Sequence, residues 1–410
     1  MQASFYDLSP AGQLLLIGGL AATLVLTWIL RRERGGGWPA RWRLLTRLLL
    51  VLTFDLVLFG AFTRLTDSGL GCPDWPGCYG NASPLGARHE INAAQAVLPD
   101  GPVTHGKAWI EMVHRYLATS LGALITVAML ASWWLRRRDH TAPPAPPWPT
   151  AAPPAPPWPT TAAVSPGLAT AAFVWVCVQG AFGALTVTLK LYPAIVTLHL
   201  LGGYAGLALL TLQAHDRRLA AVPCSAGLRR AAWAVLALIV VQSALGGWVS
   251  TNYAVLACSE FPRCQGSWWP PMDFGHGFTL LRDLGQTGDG QGLPFAALTA
   301  IHYTHRLAAY VVLASMAALA WALHRHGGVH LRRYAQGLAA LAAWQFASGL
   351  SNVVLGWPLL AALAHTGGAG AAIVLMTHLL ARTRAVPAVV APLAPPLRPG
   401  APAGRAAQPR

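Results

Sequence analysis

Three side chains that can carry charge stand close together near the start of a long apolar segment: Glu111, His114 and Arg115. In a helix they would lie within about one and a half turns, with a carboxylate, an imidazole and a guanidinium as neighbours. Ionisable groups are costly inside a bilayer, so their presence there indicates a function. The chain repeats the last two residues of this arrangement as His305 and Arg306.

The composition indicates a polytopic, all-α membrane protein. Apolar residues make up 54% of the 410 residues and charged residues 10%, whereas soluble domains carry about 25% charged residues. Nine apolar segments approach or exceed the roughly 20 residues that cross a hydrocarbon layer. They are 11–30, 43–63, 110–135, 168–189, 193–213, 231–250, 294–323, 335–356 and 358–380. The first segment lacks a basic start and a small-residue cleavage site, which predicts a retained helix rather than a signal peptide.

The distribution of positive charge predicts the orientation of these spans. The net charge is +15, but the arginines lie in short loops between spans, so we reject nucleic-acid binding. The loops 64–108 and 251–293 on the opposite face carry few cations. By the positive-inside rule the basic face is cytoplasmic, which places the two long loops outside and the C-terminus inside.

An internal repeat divides the chain into two halves. The repeated features are Gly60, Cys72, Cys78, His114-Arg115, Gly180 and His199 in the first half, and Gly246, Cys258, Cys264, His305-Arg306, Gly349 and His365 in the second. Four spans repeated in one orientation imply two pseudo-symmetric four-helix bundles related by an axis along the membrane normal. The predicted units are an extra N-terminal helix and loop in 1–40, bundles in 41–215 and 216–385, and a disordered cytoplasmic tail in 386–410. The Pro-rich tandem decapeptide 141–160 is predicted to be a cytoplasmic spacer.

Five histidines fall well inside predicted spans: His114, His199, His302, His305 and His365. Each lies in the first few turns of a helix that runs from outside to inside. His114 can therefore face His199, and His305 can face His365, at similar depth. Two facing neutral imidazoles form the axial ligand set of a haem iron. A single intramembrane histidine is more often a satisfied polar contact, but the duplicated pairing favours ligation.

The two halves differ three residues before the first candidate ligand, where Glu111 corresponds to His302. A carboxylate in a low-dielectric pocket can act as a base or can stabilise positive charge on a substrate, which favours chemistry in the first half. The alternative is that Glu111 pairs with Arg115 or Arg64. Arg115 and Arg306 fit either of two roles, pairing with haem propionates or snorkelling toward the outer interface.

The outer loops contain one cysteine pair each, Cys72 with Cys78 and Cys258 with Cys264. Because the outer face is oxidising, we predict two local disulfides that fix a lid over the haem sites. A redox role for one pair is the alternative, and a zinc site lacks a second Cys/His pair at ligand spacing. The other two cysteines are predicted to be free thiols: Cys177 and Cys224.

The segment 62–76 in the first outer loop resembles the signature of the haem A synthases. The other residues that match this family are Glu111, His114-Arg115, His199, His305-Arg306 and His365. The resemblance covers about 43–380 and implies an eight-span core of two four-helix bundles. It also implies conversion of haem O to haem A, in which a ring methyl is oxidised to a formyl group through successive hydroxylations. The extra N-terminal span and the Pro-rich insertion depart from the family pattern.

The resemblance also assigns roles to single residues. His114 and His199 would flank the iron of the substrate, haem O, with Glu111 assisting catalysis, whereas His305 and His365 would ligate a haem b prosthetic group. It implies a bacterial inner-membrane protein in contact with lipid, with a haem O synthase and terminal oxidase assembly factors as partners, and it leaves a homo-oligomer open. Two competing functions are a di-haem b electron-transfer cytochrome and a non-catalytic haem transporter or chaperone.

Overall fold

The computed structural model describes residues 9–140, 164–215 and 219–386. The Pro-rich segment 141–160 and the tail from residue 387 onward lie outside the described residues, so the predictions made for them stay predictions.

Long helices account for most of the described chain. They are α1 (Ser9–Arg32), α2 (Gly37–Leu65), α4 (His105–His140), α5 (Pro166–Thr188), α6 (Pro193–Ala214), α7 (Ala226–Thr251), α9 (Phe295–His326), α10 (Val329–Val354) and α11 (Leu359–Arg382). The outer loops add α3 (Arg88–Val97), a 3₁₀ turn (Ala254–Leu256) and α8 (Phe274–Gly277). Within the described ranges, eight helices are long and apolar enough to cross a membrane, which makes the chain a multi-pass membrane protein.

Helix α10 is the predicted span that is not among these eight helices. It is 26 residues long, but its outer half carries Gln345, Ser348 and Asn352, which lower its hydropathy. Gln345 and Ser348 both contact His365 on the neighbouring helix α11. The polar residues that weaken the apolar pattern therefore face another helix of the protein.

Two equivalent turns place the histidine-bearing helices α6 and α11. The first turn contains Lys190 and Leu191 with φ of 47° and 60°, and the second contains Gly356 and Trp357 with φ of 66° and 64°. Such left-handed positions reverse the chain within a few residues. Because both connections are short, α5 with α6 and α10 with α11 become antiparallel neighbours.

Helix packing separates the chain into two sets. Helices α2, α4, α5 and α6 contact one another in a closed ring, and so do α7, α9, α10 and α11. Helix α1 packs mainly on α4, outside the first ring. The two rings meet where α6 contacts α7 and α11, and where α2 contacts α11.

Equivalent positions of the two halves meet at the outer surface. Arg64 donates from Nη2 to the carbonyl oxygen of Ser250 at 2.7 Å, and the Tyr253 hydroxyl donates to the Asp67 carboxylate. Within each pair, both residues stand at the same distance past the repeated glycine, four residues in one case and seven in the other. Contacts between equivalent residues are what a two-fold relation produces.

The prediction of a purely helical fold needs one correction. Strands β1 (Val222–Ser225) and β2 (Thr383–Val386) form a short parallel pair at the end of α11. Arg229 supports this pair, because its Nη1 donates to the carbonyl oxygens of Leu380 and Thr383. The strands tie the connection between the two halves to the end of the last helix.

We expect Gly18→Leu to separate α1 from α4. A Cβ atom at Gly18 would lie 2.7 Å from Cγ2 of Thr119 and 2.9 Å from its carbonyl carbon. Overpacking of this kind costs about 1–3 kcal/mol, so the melting temperature in detergent should fall by a few degrees. Gly19→Leu is the matched control, since a Cβ atom there meets nothing within 4 Å. Equal melting temperatures for the two variants would contradict this account of α1 packing.

Candidate functional site

The first histidine pair lies on α4 and α6, and each ring faces a glycine on the preceding helix of the set. A Cβ atom at Gly60 would lie 3.1 Å from Nε2 of His114, and one at Gly183 would lie 3.7 Å from Cε1 of His199. Gly180, which the sequence analysis matched with Gly349 in the repeat, does not face the ring, because a Cβ atom there would meet nothing within 4 Å. Gly183 precedes His199 by the spacing that separates Gly349 from His365, and this signal identifies it.

The second pair repeats the arrangement on α9 and α11. A Cβ atom at Gly246 would lie 3.0 Å from Cε1 of His305, and one at Gly349 would lie 3.1 Å from Cε1 of His365. Glycine at these positions lets a ring approach the neighbouring backbone closely. The ring centroids of His305 and His365 are 6.5 Å apart.

This geometry fits a haem iron held between two imidazoles. Rings that bind opposite sides of one metal ion at about 2 Å have centroids roughly 6 Å apart, close to the separation of His305 and His365. In the first half, Nδ1 of His199 is buried and has no hydrogen-bond partner among the described residues. In the described part of the chain, no group of three or more His, Cys, Asp or Glu side chains is arranged to hold a metal ion.

Glu111 is buried beside the first outer loop, with 4% of its surface exposed. Its Oε1 accepts a hydrogen bond from Nη2 of Arg115, and its Oε2 accepts one from the backbone N–H of Cys72 at 2.8 Å. The structure therefore contains the ion pair between Glu111 and Arg115, and the catalytic role of Glu111 stays a prediction. Arg64, the other partner considered, contacts Asp67 and Ser250.

The equivalent residue of the second half makes a different contact. His302 is buried, and its Nδ1 donates to the carbonyl oxygen of Ala254 at 3.0 Å. The carboxylate of the first half thus binds a backbone N–H and a cation, whereas the imidazole of the second half binds a carbonyl group. The predicted difference between the halves is present in their hydrogen bonds.

Both arginines that follow a histidine hold an outer loop in place. Nη1 of Arg115 donates to the carbonyl oxygens of Asp74 and Pro76 at 3.0 and 3.1 Å, and to that of Gly77. A buried guanidinium needs acceptors for its five N–H groups, and the loop carbonyls supply them.

Arg306 makes the equivalent contacts in the second half. Its Nη1 lies 2.9 Å from the carbonyl oxygens of Glu260 and Arg263, and its Nη2 lies 3.2 Å from that of Cys258. The sequence analysis missed this loop-binding role of both arginines. Their predicted contact with haem propionates stays a prediction.

Disulfides close both loops as predicted. The structure joins Cys72 to Cys78 and Cys258 to Cys264, and all four residues are fully buried. The remaining two cysteines are free thiols, as expected: Cys177 is exposed and Cys224 is buried. Each loop therefore covers the outer end of a four-helix set, held by a disulfide and by a guanidinium from below.

Two polar residues that the sequence analysis did not identify contact the second histidine pair. Nε2 of Gln242 lies 3.0 Å from Nδ1 of His305, and Oγ of Ser348 lies 3.0 Å from Nδ1 of His365. A glutamine four residues before Gly246 and a serine directly before Gly349 are the sequence signals that could have located them.

Comparison with known proteins identifies relatives over most of the chain. The cytochrome oxidase assembly protein family COX15-CtaA matches residues 41–379. A protein from Shewanella oneidensis named heme A synthase is 36% identical over 337 residues, which is 81% of this chain and 93% of that protein. A heme A synthase from Methylorubrum populi is 29% identical over 373 residues, with 84% and 87% of the two chains covered. Another from Halalkalibacterium halodurans is 26% identical over 319 residues, with 76% and 86% covered.

We expect Arg306→Gln to loosen the second disulfide loop. Hydrogen bonds to a charged donor contribute about 1.5–3 kcal/mol each, so amide exchange in residues 258–264 should accelerate by about 10-fold or more. Hydrogen–deuterium exchange followed by mass spectrometry measures this rate. Arg263→Gln removes an exposed cation from the same loop and should leave the rate unchanged. If both variants exchange at the rate of the unmodified protein, Arg306 does not hold this loop in place.

Proposed function

The chain belongs to the cytochrome oxidase assembly protein family, and on that premise we propose that it is a haem A synthase. The proposed reaction is an oxidation of haem O to haem A, in which a ring methyl becomes a formyl group through successive hydroxylations. The observation that carries the proposal is the duplicated pair of imidazoles on two helices of each four-helix set, each ring facing a glycine on an adjacent helix. This arrangement provides two separate places for a flat metalloporphyrin.

The proposal assigns the substrate to the first half and a resident cofactor to the second. His114 and His199 would bind haem O, and His305 and His365 would ligate haem b. Bound there, haem b would supply a one-electron redox centre beside the substrate site. The asymmetry between Glu111 and His302 supports this assignment, because a pair of equivalent electron-transfer sites needs no carboxylate in one half only.

Glu111 is the proposed catalytic carboxylate of the first half. It lies about one helical turn from His114, buried in a low-dielectric environment, where a carboxylate can take up a proton or stabilise positive charge. Arg115 and the N–H of Cys72 hold its two oxygens, so its position is set by the disulfide loop as well as by its own helix.

The proposed architecture is two pseudo-symmetric four-helix bundles, residues 41–215 and 216–385, with α1 as an addition outside them. We infer that the outer loops with their disulfides face the oxidising side of a bacterial inner membrane and that the C-terminus is cytoplasmic. A haem O synthase would supply the substrate, and terminal oxidase assembly factors would accept the product.

Pigment analysis of the purified protein tests the function. Protein produced together with a haem O synthase should contain haem b and yield haem A, whereas protein produced without that synthase should contain haem b alone. His365→Ala should lose haem b, and the equivalent variant His199→Ala should keep haem b but form no haem A. Recovery of haem b alone under all conditions would favour the di-haem cytochrome, and exchangeable haem O without product would favour the chaperone.

We expect Glu111→Gln to retain both haems and to lower haem A formation, with haem O accumulating. The amide still accepts from Cys72, but it cannot act as a base, and acid–base groups contribute about 10²–10⁴-fold to a rate. Extraction and chromatography of the haems measure the ratio of product to substrate. Glu90→Gln, which removes an exposed carboxylate from the same face, is the control. An unchanged ratio in Glu111→Gln would exclude the proposed catalytic role.

A further inference from the structure

The two histidine pairs differ in what binds the ring nitrogen that faces away from the metal position. A ligand histidine usually donates its second N–H to a fixed acceptor, which sets the tautomer, orients the ring and raises the basicity of the ligating nitrogen. Ser348 provides such a partner for His365, whereas Nδ1 of His199 has none among the described residues. This difference extends the proposed function and rests on it.

Ser348 is placed to hold His365 in the ligating tautomer. Its Oγ donates to the carbonyl oxygen of Trp344 at 2.7 Å, so its one hydroxyl proton is already used. Toward Nδ1 of His365, 3.0 Å away, Oγ can then only accept. The proton must therefore lie on Nδ1, which leaves the lone pair of Nε2 available to a metal.

Gln242 contacts His305 in a different way. Its amide nitrogen lies 3.0 Å from both Nδ1 and the carbonyl oxygen of that residue, and it donates to the carbonyl oxygen. Because the amide nitrogen is a donor, this contact does not fix a proton on Nδ1. Ser348 is therefore the residue that carries the argument.

The equivalent positions of the first half are apolar. Leu56 stands four residues before Gly60, as Gln242 does before Gly246, and Phe182 directly precedes Gly183, as Ser348 precedes Gly349. Neither side chain can accept a hydrogen bond. Nδ1 of His199 accordingly has no hydrogen-bond partner within the described part of the chain, and the ring of His114 stacks on Phe59 with centroids 6.2 Å apart.

We propose that Ser348 is a positioning residue that makes the second half the permanent haem site, and that Phe182 at the equivalent position keeps the first half exchangeable. A substrate site must release its porphyrin after each turnover, whereas a redox cofactor must stay bound. Loss of a hydrogen-bond partner behind a ligand histidine typically lowers metal affinity about 10–100-fold. A repeat with equivalent histidine positions can thus separate a resident haem from a transient one through one side chain per half.

Haem release from the purified protein tests this proposal without an activity assay. The protein, loaded with haem b and haem O, is mixed with excess apomyoglobin, and the two haems transferred are separated and quantified over time. Ser348→Ala should accelerate loss of haem b about 10-fold or more, with haem O loss unchanged. Ser348→Thr, which keeps the hydroxyl, should restore slow release, and Ser351→Ala on the same helix is the control.

The reverse substitution tests the first half. Phe182→Ser places an acceptor behind His199 and should slow the loss of haem O. The proposal is overturned if Ser348→Ala retains haem b as long as the unmodified protein does. A shift in the reduction potential of the bound haem b in Ser348→Ala, reversed in Ser348→Thr, separates a positioning role from general destabilisation. If haem b behaves as expected but no haem A is ever formed, the proposed function fails while this inference stands.

Discussion

Each of four imidazoles in the interior of this protein faces a glycine on an adjacent helix: His114, His199, His305 and His365. At Gly60, Gly246 and Gly349 a Cβ atom would lie 3.0–3.1 Å from the ring, which is tighter than ordinary contact, and at Gly183 it would lie 3.7 Å away. Glycine therefore lets these helices pack closely against the rings. The short turns before α6 and α11 place the helices that carry His199 and His365.

Hydrogen bonds join each disulfide loop to a helix that carries a histidine. A guanidinium beneath each loop would be costly to bury without acceptors, and the carbonyl groups of the disulfide-closed loop provide them. Arg115 and Arg306 therefore connect the residue next to a histidine to the cover above it. Among the described residues, the first half adds a carboxylate, Glu111, to this network. A change in the charge of Glu111 would therefore alter its hydrogen bond to the loop as well as the site.

The repeat keeps the backbone and changes the chemistry. Equivalent residues contact each other at the outer surface, and equivalent glycines face equivalent rings. Against this common geometry, the halves differ where Glu111 replaces His302 and where Leu56 and Phe182 replace Gln242 and Ser348. Under the proposed function, the second half holds haem b and the first half oxidises haem O. Both halves use the same packing of four helices around a flat ligand.

The sequence by itself determined the membrane class, eight of the nine predicted spans and the two disulfides, because apolar length, residue type and spacing are local properties of the chain. It matched Gly180 rather than Gly183 with Gly349, and it left the partners of Glu111 open. Only the tertiary structure decided these points and located Gln242 and Ser348 behind the rings. The physical reason is that periodicity reports the depth and face of a residue on its own helix. A hydrogen bond between helices also depends on their separation and rotation, which all the packed side chains set together.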